Sequence, residues 1–272
     1  MLPHSQALFH YTSTIENVKL ILQNGLRFSR LTEELPLSGF ASNIFDQLSG
    51  FVKHVQFREG VCLCDITPEA AEAHRTEYGR YGLGFSKQWA MNIGASPVRY
   101  VHRRSPDIGS ELFTTILELP NEIRAKGSVY GMMAEMRGLD PLDLDGMQEG
   151  QRRILRDVED LCNSLLGFCD FSASYLRVHD GVWTDRVSGE DTHRTFYDEN
   201  EWRIVRPLGH GDYITFTAAD LSCVLVETTE QRDEILEHVA GQCSMFGTDK
   251  VHELTSKVLT YNEVLTTEKQ TS

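Results

Sequence analysis

The 272-residue chain lacks any apolar run close to the ~20 consecutive residues that a membrane-spanning helix needs. Its first residues, MLPHSQALFHYT, also lack the basic-then-apolar pattern of an export signal. Both absences argue against a membrane or secreted protein. We therefore expect a cytoplasmic protein.

Basic residues are also scarce, because 26 Lys and Arg stand against 40 Asp and Glu, which gives a formal net charge of −14. Broad, non-specific nucleic-acid binding depends on a basic surface, so this composition argues against it. A local basic groove is compatible with the same charge. Its candidate contacts are Arg75, Arg80, Arg99, Arg103 and Arg104, although a solvated surface also explains such clusters.

The six cysteines include no C-x-x-C pair, and no matching Cys/His pair completes a four-ligand zinc site. We therefore expect reduced cysteines and no metal. Cys62 and Cys64 alternate on one predicted strand, so their side chains should lie on the same face.

Local signals predict a mixture of strands and helices. LFHYT is typical of a strand, and the next helix should begin with Ser13 as its cap and end at Gly25. VCLCDI and YGLGFS are also predicted strands, with a helix starting at Thr67 between them and one capped by Ser86 after them. Later, TFYDENEWRIVRPL and SCVLVE are predicted strands. The order lacks the regular alternation of a doubly wound sheet, which indicates the α+β class.

Residues 121–170 are the least regular and most charged part of the chain, and we interpret them as a helical insertion in a single domain over residues 1–272. Within them an amphipathic helix is predicted, with Ile154, Val158, Leu161 and Leu165 on one side.

Three stretches carry residues suited to chemistry. The first, FHYTS, contains His10, Tyr11 and Thr12. The second, YGRYGLGFSKQWA, places glycines in a strand, where a ligand or another backbone often approaches closely. The third, ENEWRI, would place Glu199, Glu201 and Arg203 on one face of a strand. Buried carboxylates are costly unless they are paired or used, so an edge-strand charge pair of Glu201 with Arg203 is the alternative to catalysis.

These stretches together resemble the ADP-ribosyltransferase superfamily, and its His-Tyr-Glu branch with the DarT-type toxins in particular. More narrowly, LFHYTS, CLCDI, YGRYGLGFSKQWA and ENEWRI are similar to the AbiGi family of bacterial abortive-infection proteins. The similarity covers about the first hundred residues and the stretch near residue 200, and leaves 121–170 outside.

The resemblance implies a split β-sheet core and an NAD-dependent glycosyl transfer, in which ADP-ribose passes from NAD to a nucleic-acid or protein acceptor. Its oxocarbenium-like transition state is stabilised by a carboxylate. The resemblance also implies that Glu201 holds the ribose, that Glu199 orients the acceptor and that His10 binds the NAD ribose. The remaining implied NAD contacts are Tyr11, Thr12, Tyr81, Gly82, Phe85 and Ser86.

Two features leave alternatives open. The central tyrosine of the His-Tyr-Glu pattern falls on Gly84, so Tyr11, Tyr78 or Tyr81 would have to replace it, and either Glu199 or Glu201 could be the catalytic acid. In addition, AbiGi proteins have been called antitoxins. The resemblance therefore implies either a transferase in a toxin–antitoxin or anti-phage setting, or a non-catalytic protein that binds a cognate toxin. Simple packing of all three stretches is the third alternative.

Overall fold

The computed structural model describes residues 7–33, 55–68, 70–101, 148–184, 191–242 and 251–269. The helices there are α1 Ile15–Asn24, α2 Glu72–Tyr78, α3 Lys87–Asn92, α4 Glu149–Ala173, α5 Thr229–Gln242, α6 Val251–Thr255 and α7 Tyr261–Lys269. The first strands are β1 Ala7–Thr12, β2 Leu26–Arg27, β3 Ser29–Glu33, β4 Val55–Cys64, β5 Tyr81–Ser86, β6 Ser96–Pro97 and β7 Arg99–Val101. The later strands are β8 Leu176–Val178, β9 Asp180–Thr184, β10 Asp191–Thr195, β11 Glu201–Val205, β12 Tyr213–Ile214, β13 Leu221–Val226 and β14 Val258–Thr260. This mixture confirms the α+β class.

The chain divides into two compact units, of which the first comprises residues 1–31, 59–98 and 179–272. Its sheet has the strand order β14-β13-β5-β1-β4-β11-β6, with β3 paired to β4 beside this order. β13 and β14 are parallel, whereas β1, β4, β5 and β11 pair antiparallel with their neighbours. The carboxylate-bearing β11 is therefore two strands away from the histidine-bearing β1.

The sheet of the first unit is buried on both faces by different sets of apolar residues. One face, which we call the histidine face, carries Leu8, His10, Leu83 and Phe85, and its apolar residues join the largest core cluster. The opposite face, which we call the carboxylate face, carries Phe9 and Tyr11 in a second cluster. Paired residues of neighbouring strands share a face, so strand register assigns the candidates on the other strands of this sheet to one of the two faces.

Local sequence signals account well for α1, the first helix of the first unit. Thr14, rather than the predicted Ser13, caps α1, because its side chain accepts a hydrogen bond from the Asn17 backbone N–H at 3.2 Å. Gly25 ends the helix with φ +97°, as predicted from its freedom at positive φ. Val18 and Leu22 on the inner side of α1 are fully buried.

The second unit comprises residues 32–58 and 99–178. In its described part, β7 and β8 pair in parallel. The long helix α4 confirms the helix that was predicted in the insertion, although it extends to Ala173. Residues 121–147 of the insertion lie outside the described residues, so the single-domain interpretation stays a prediction.

None of the described helices combines the length and the apolar character that crossing a membrane would require.

Candidate functional site

Glu201, to which the resemblance assigns the catalytic role, is held in a buried ion pair. Glu201 is 5 % exposed and Arg203 is 2 % exposed. Nε of Arg203 donates to Oε1 of Glu201 at 2.7 Å, and one terminal nitrogen donates to Oε2 at 3.1 Å. Both oxygens of Glu201 are thus engaged by one guanidinium in the bidentate geometry that arginine favours. The predicted charge pair is confirmed, but β11 lies between β4 and β6 and not at a sheet edge.

Glu199 does not lie on the same strand as Glu201, contrary to the prediction that both carboxylates share one strand face. Residues Phe196–Glu199 form a 3₁₀ turn, and β11 begins only at Glu201. Asn200 joins them in the left-handed conformation, with φ +44°, which asparagine adopts more readily than most residues. This turn brings Glu199 Oε1 to the hydroxyl of Tyr78, which donates to it at 2.8 Å.

Cys64 lies beside Glu201 on the neighbouring strand and is buried. Burial raises the pKa of the Cys64 thiol well above its ordinary value, and the charges of Glu199 and Glu201 raise it further. The thiol is therefore neutral at physiological pH, which makes it a poor nucleophile.

His10 lies on the other face of the sheet from Glu201. Phe9 pairs with Cys64, and Cys64 pairs with Glu201, so these three share the carboxylate face. His10 is next to Phe9 and therefore points to the histidine face. The structure does not bring the predicted ribose-binding histidine and the predicted catalytic carboxylate together.

The ring of His10 is held by the backbone of β4. Its Nδ1 donates a hydrogen bond to the carbonyl oxygen of Cys62 at 3.0 Å. Burial lowers the pKa of His10, so the ring is neutral at pH 7. Since a carbonyl oxygen can only accept, the proton of the neutral ring is on Nδ1, and Nε2 is an acceptor.

Three further predicted NAD contacts lie on the histidine face with His10, and each contacts a side chain of a neighbouring helix. The Thr12 hydroxyl accepts a hydrogen bond from the Asn17 side chain at 2.9 Å, and the Tyr81 hydroxyl accepts one from Gln231 at 2.9 Å. Phe85 has no exposed surface and stacks on Trp89 with 4.7 Å between ring centroids. Each of the three side chains thus has a structural contact, and its role as an NAD contact stays a prediction.

The glycines of β5 are covered by aromatic rings. A Cβ on Gly84 would lie 2.9 Å from Phe9 Cε1 and 3.0 Å from Cys223 Sγ. A Cβ on Gly82 would lie 3.1 Å from the Tyr11 ring. The space that glycine leaves on this strand therefore accommodates the rings of β1, and a tyrosine at position 84 would displace Phe9.

Ser86 has a local structural role as well. Its Oγ accepts a hydrogen bond from the Trp89 backbone N–H at 3.2 Å, which confirms it as the cap of α3.

The predicted nucleic-acid contacts have different environments. The Arg75 guanidinium lies 3.3 Å from the centroid of the Tyr261 ring, and the exposed Arg80 pairs with Glu227 at 3.3 Å. Arg99 belongs to the second unit. Arg103 and Arg104 lie outside the described residues, so a shared basic groove stays a prediction.

Among the described residues, no group of three or more His, Cys, Asp and Glu side chains could hold a metal ion.

Sequence comparison matches more than half of the chain to a known family. The sequence model of the AbiGi family, described as "Putative abortive phage resistance protein AbiGi, antitoxin", matches residues 52–221. The chain belongs to the AbiGi family. No curated protein and no solved structure matches the chain.

The extent of the AbiGi match bears on the candidate residues. It includes Tyr78, Glu199, Glu201 and Arg203, and begins after β1, so His10 lies outside it. It also runs through residues 121–170, which the motif similarity had left outside, so the insertion belongs to the AbiGi match.

Sequence reasoning missed two contacts of the carboxylate face, namely Tyr78 with Glu199 and Arg75 with Tyr261. Their long separations along the chain leave no sequence signal for either. The split between His10 and Tyr11 was available from the sequence, because successive residues of a strand point to opposite faces.

Proposed function

We propose that this AbiGi chain is the antitoxin of an abortive-infection pair, which binds a cognate toxin and suppresses it without chemistry of its own. The observation that carries this proposal is the buried, bidentate Glu201–Arg203 pair. A carboxylate that stabilises a developing positive charge must face the substrate. Glu201 instead faces the guanidinium of Arg203 on its own strand, as in a structural ion pair.

The division of the candidate residues supports the same proposal. His10, Thr12 and Tyr81 lie on one face of the sheet, while Tyr11, Gly82 and Glu201 lie on the other. A single NAD ribose cannot contact side chains on both faces of a continuous sheet. The description of the family as an antitoxin agrees with a binding protein.

The charge of the chain indicates what kind of toxin it would bind. A formal net charge of −14 favours a partner with a basic surface, since complementary charge raises the rate of association. Toxins that act on nucleic acid often need such a surface, and an acidic antitoxin would compete for it.

A second candidate function is the NAD-dependent ADP-ribosyltransferase, with a nucleic-acid or protein acceptor and an ADP-ribosyltransferase-like domain over the whole chain. The observation that favours it is the pairing of Glu199, which is only partly buried, with the Tyr78 hydroxyl at 2.8 Å. In that function Glu199 would orient the acceptor, and Glu201 would leave Arg203 to hold the ribose.

An assay with NAD labelled in its adenylate portion separates the two functions. Wild type and Glu199→Gln are incubated with labelled NAD and, separately, with RNA, DNA and cell protein. We expect no label on any acceptor and the same background release of nicotinamide with both proteins, because His10 and Glu201 lie on opposite faces of the sheet. Transfer of label by wild type but not by Glu199→Gln would contradict the antitoxin proposal. The labelled fraction would then identify the acceptor class.

A further inference from the structure

The helix α7 lies over the apolar cluster of the carboxylate face and buries little of its own surface there. It directly follows β14, which lies at the end of the strand order beside β13. Among the described side chains of α7, Tyr261 and Val264 are the buried ones, and both belong to this cluster. In contrast, α1 buries Val18 and Leu22 fully and packs two partly buried isoleucines against the core. The docking of α7 therefore depends on fewer buried apolar side chains than that of α1.

Docking of α7 also leaves two polar groups without hydrogen bonds. The Tyr261 hydroxyl and Nε of Arg75 are buried, and neither has a hydrogen-bond partner among the described residues. Burial raises the pKa of Tyr261, so the hydroxyl keeps its proton and needs an acceptor for it. Water would bind both groups if α7 moved away. The docked form therefore loses hydrogen bonds that an open form would make.

Contacts with α2 and α5 oppose this cost. The guanidinium carbon of Arg75 on α2 lies 3.3 Å from the centroid of the Tyr261 ring, where cation and ring attract each other. Arg232 on α5 donates to Glu263 at 2.8 Å, but both side chains are at least 30 % exposed, and exposed pairs contribute little. The docked and open positions of α7 are therefore closer in free energy than they would be if every buried polar group were paired.

We propose that α7 is a strap that opens and closes over the carboxylate face while the sheet of the first unit stays folded. Its pivot is Thr260, the last residue of β14, whose backbone N–H and hydroxyl donate to the Glu263 side chain at 2.7 and 3.0 Å. These two bonds lie within the moving segment, so opening does not have to break them.

Opening of the strap changes what the carboxylate face presents. It uncovers the guanidinium of Arg75, on which Tyr261 lies, together with the part of the apolar cluster that Tyr261 and Val264 cover. The position of α7 thus controls access to this part of the face. The inference goes beyond both functions proposed above and depends on neither of them.

Thiol labelling of two matched variants tests this inference. Val264→Cys reports on α7 and Val18→Cys on α1, and both valines are at most 2 % exposed. Each variant reacts with a thiol reagent at several urea concentrations, and peptide mass spectrometry separates the introduced thiol from those of the six native cysteines. We expect the thiol at position 264 to react at least about a hundredfold faster than the one at position 18. Its rate should also depend less on urea, because opening of α7 exposes less surface than unfolding does.

Tyr261→Phe, added to Val264→Cys, tests the cause of opening. It removes the unpartnered hydroxyl and keeps the ring, so it should slow labelling at position 264 at least about fivefold. Tyr81→Phe is the matched control, because it removes a hydroxyl that accepts a hydrogen bond from Gln231, and it should not slow the labelling. Urea unfolding checks that every variant folds.

Three results would overturn the inference. Equal labelling rates with equal urea dependence at positions 264 and 18 would show that α7 opens only when the whole unit unfolds. Labelling at position 264 as fast as that of a free thiol would show that α7 does not dock. Unchanged labelling after Tyr261→Phe would show that the buried hydroxyl does not favour opening.

Discussion

Replacement of Arg203 by methionine is expected to lower the free energy of unfolding by about 3–5 kcal/mol, because it leaves the Glu201 carboxylate buried without its counter-charge. Glu201 is 5 % exposed, so water cannot replace the two hydrogen bonds that the guanidinium donates. Urea unfolding of wild type and Arg203→Met measures the difference directly.

Two further variants show whether the loss comes from the buried pair. The double variant Glu201→Leu/Arg203→Met removes both charges and should recover most of the stability, since apolar replacements of a buried pair are often neutral. Arg80→Met breaks the exposed pair with Glu227 and should cost at most about 1 kcal/mol. If Arg203→Met unfolds within about 1 kcal/mol of wild type, the Glu201–Arg203 pair does not have the structural role assigned to it.

Substitution of Gly79 by alanine is expected to cost about 3 kcal/mol or more, because two independent penalties add there. Gly79 has φ +127°, which L residues rarely adopt, and it follows Tyr78 directly at the end of α2. A Cβ on Gly79 would also lie 2.1 Å from the carbonyl carbon and oxygen of Thr12. The close approach of these two backbones fixes Tyr78 beside Glu199.

Gly94→Ala separates the two penalties. Gly94 has φ +92°, but an added Cβ there meets nothing within 4 Å. It should therefore cost only the conformational penalty of about 1–2 kcal/mol. Equal losses of stability in Gly79→Ala and Gly94→Ala would show that the contact with Thr12 is not tight.

Local sequence signals predicted the elements that depend on neighbouring residues. The strand β1, the stop at Gly25 and the cap of α3 at Ser86 each depend on a few adjacent residues, and all three are confirmed. The starts of two helices differ from the prediction, because Thr14 rather than Ser13 caps α1 and α2 begins later than expected. Thr67 and Pro68 predict a helix there, but their carbonyl oxygens accept backbone hydrogen bonds in a turn, and the helix begins at Glu72.

The candidate site depended on information that the sequence does not hold locally. Whether His10 shares a face with Glu201 follows from the register of β1, β4 and β11, and long-range pairing sets that register. Likewise, the predicted strand through Glu199 is broken by one residue, Asn200, in the left-handed conformation. A few long-range pairings and one backbone conformation therefore determined whether the three stretches could form a single site.

The most direct test of the antitoxin proposal is the growth of cells that produce the cognate toxin together with wild type or Glu199→Gln. Glu199 is the partly buried carboxylate on which the alternative chemistry depends, and its replacement by glutamine keeps the size of the side chain. Binding without catalysis predicts that both proteins restore growth equally and co-purify with the toxin. A Glu199→Gln protein that is produced and folded like wild type, yet leaves the cells arrested, would contradict it.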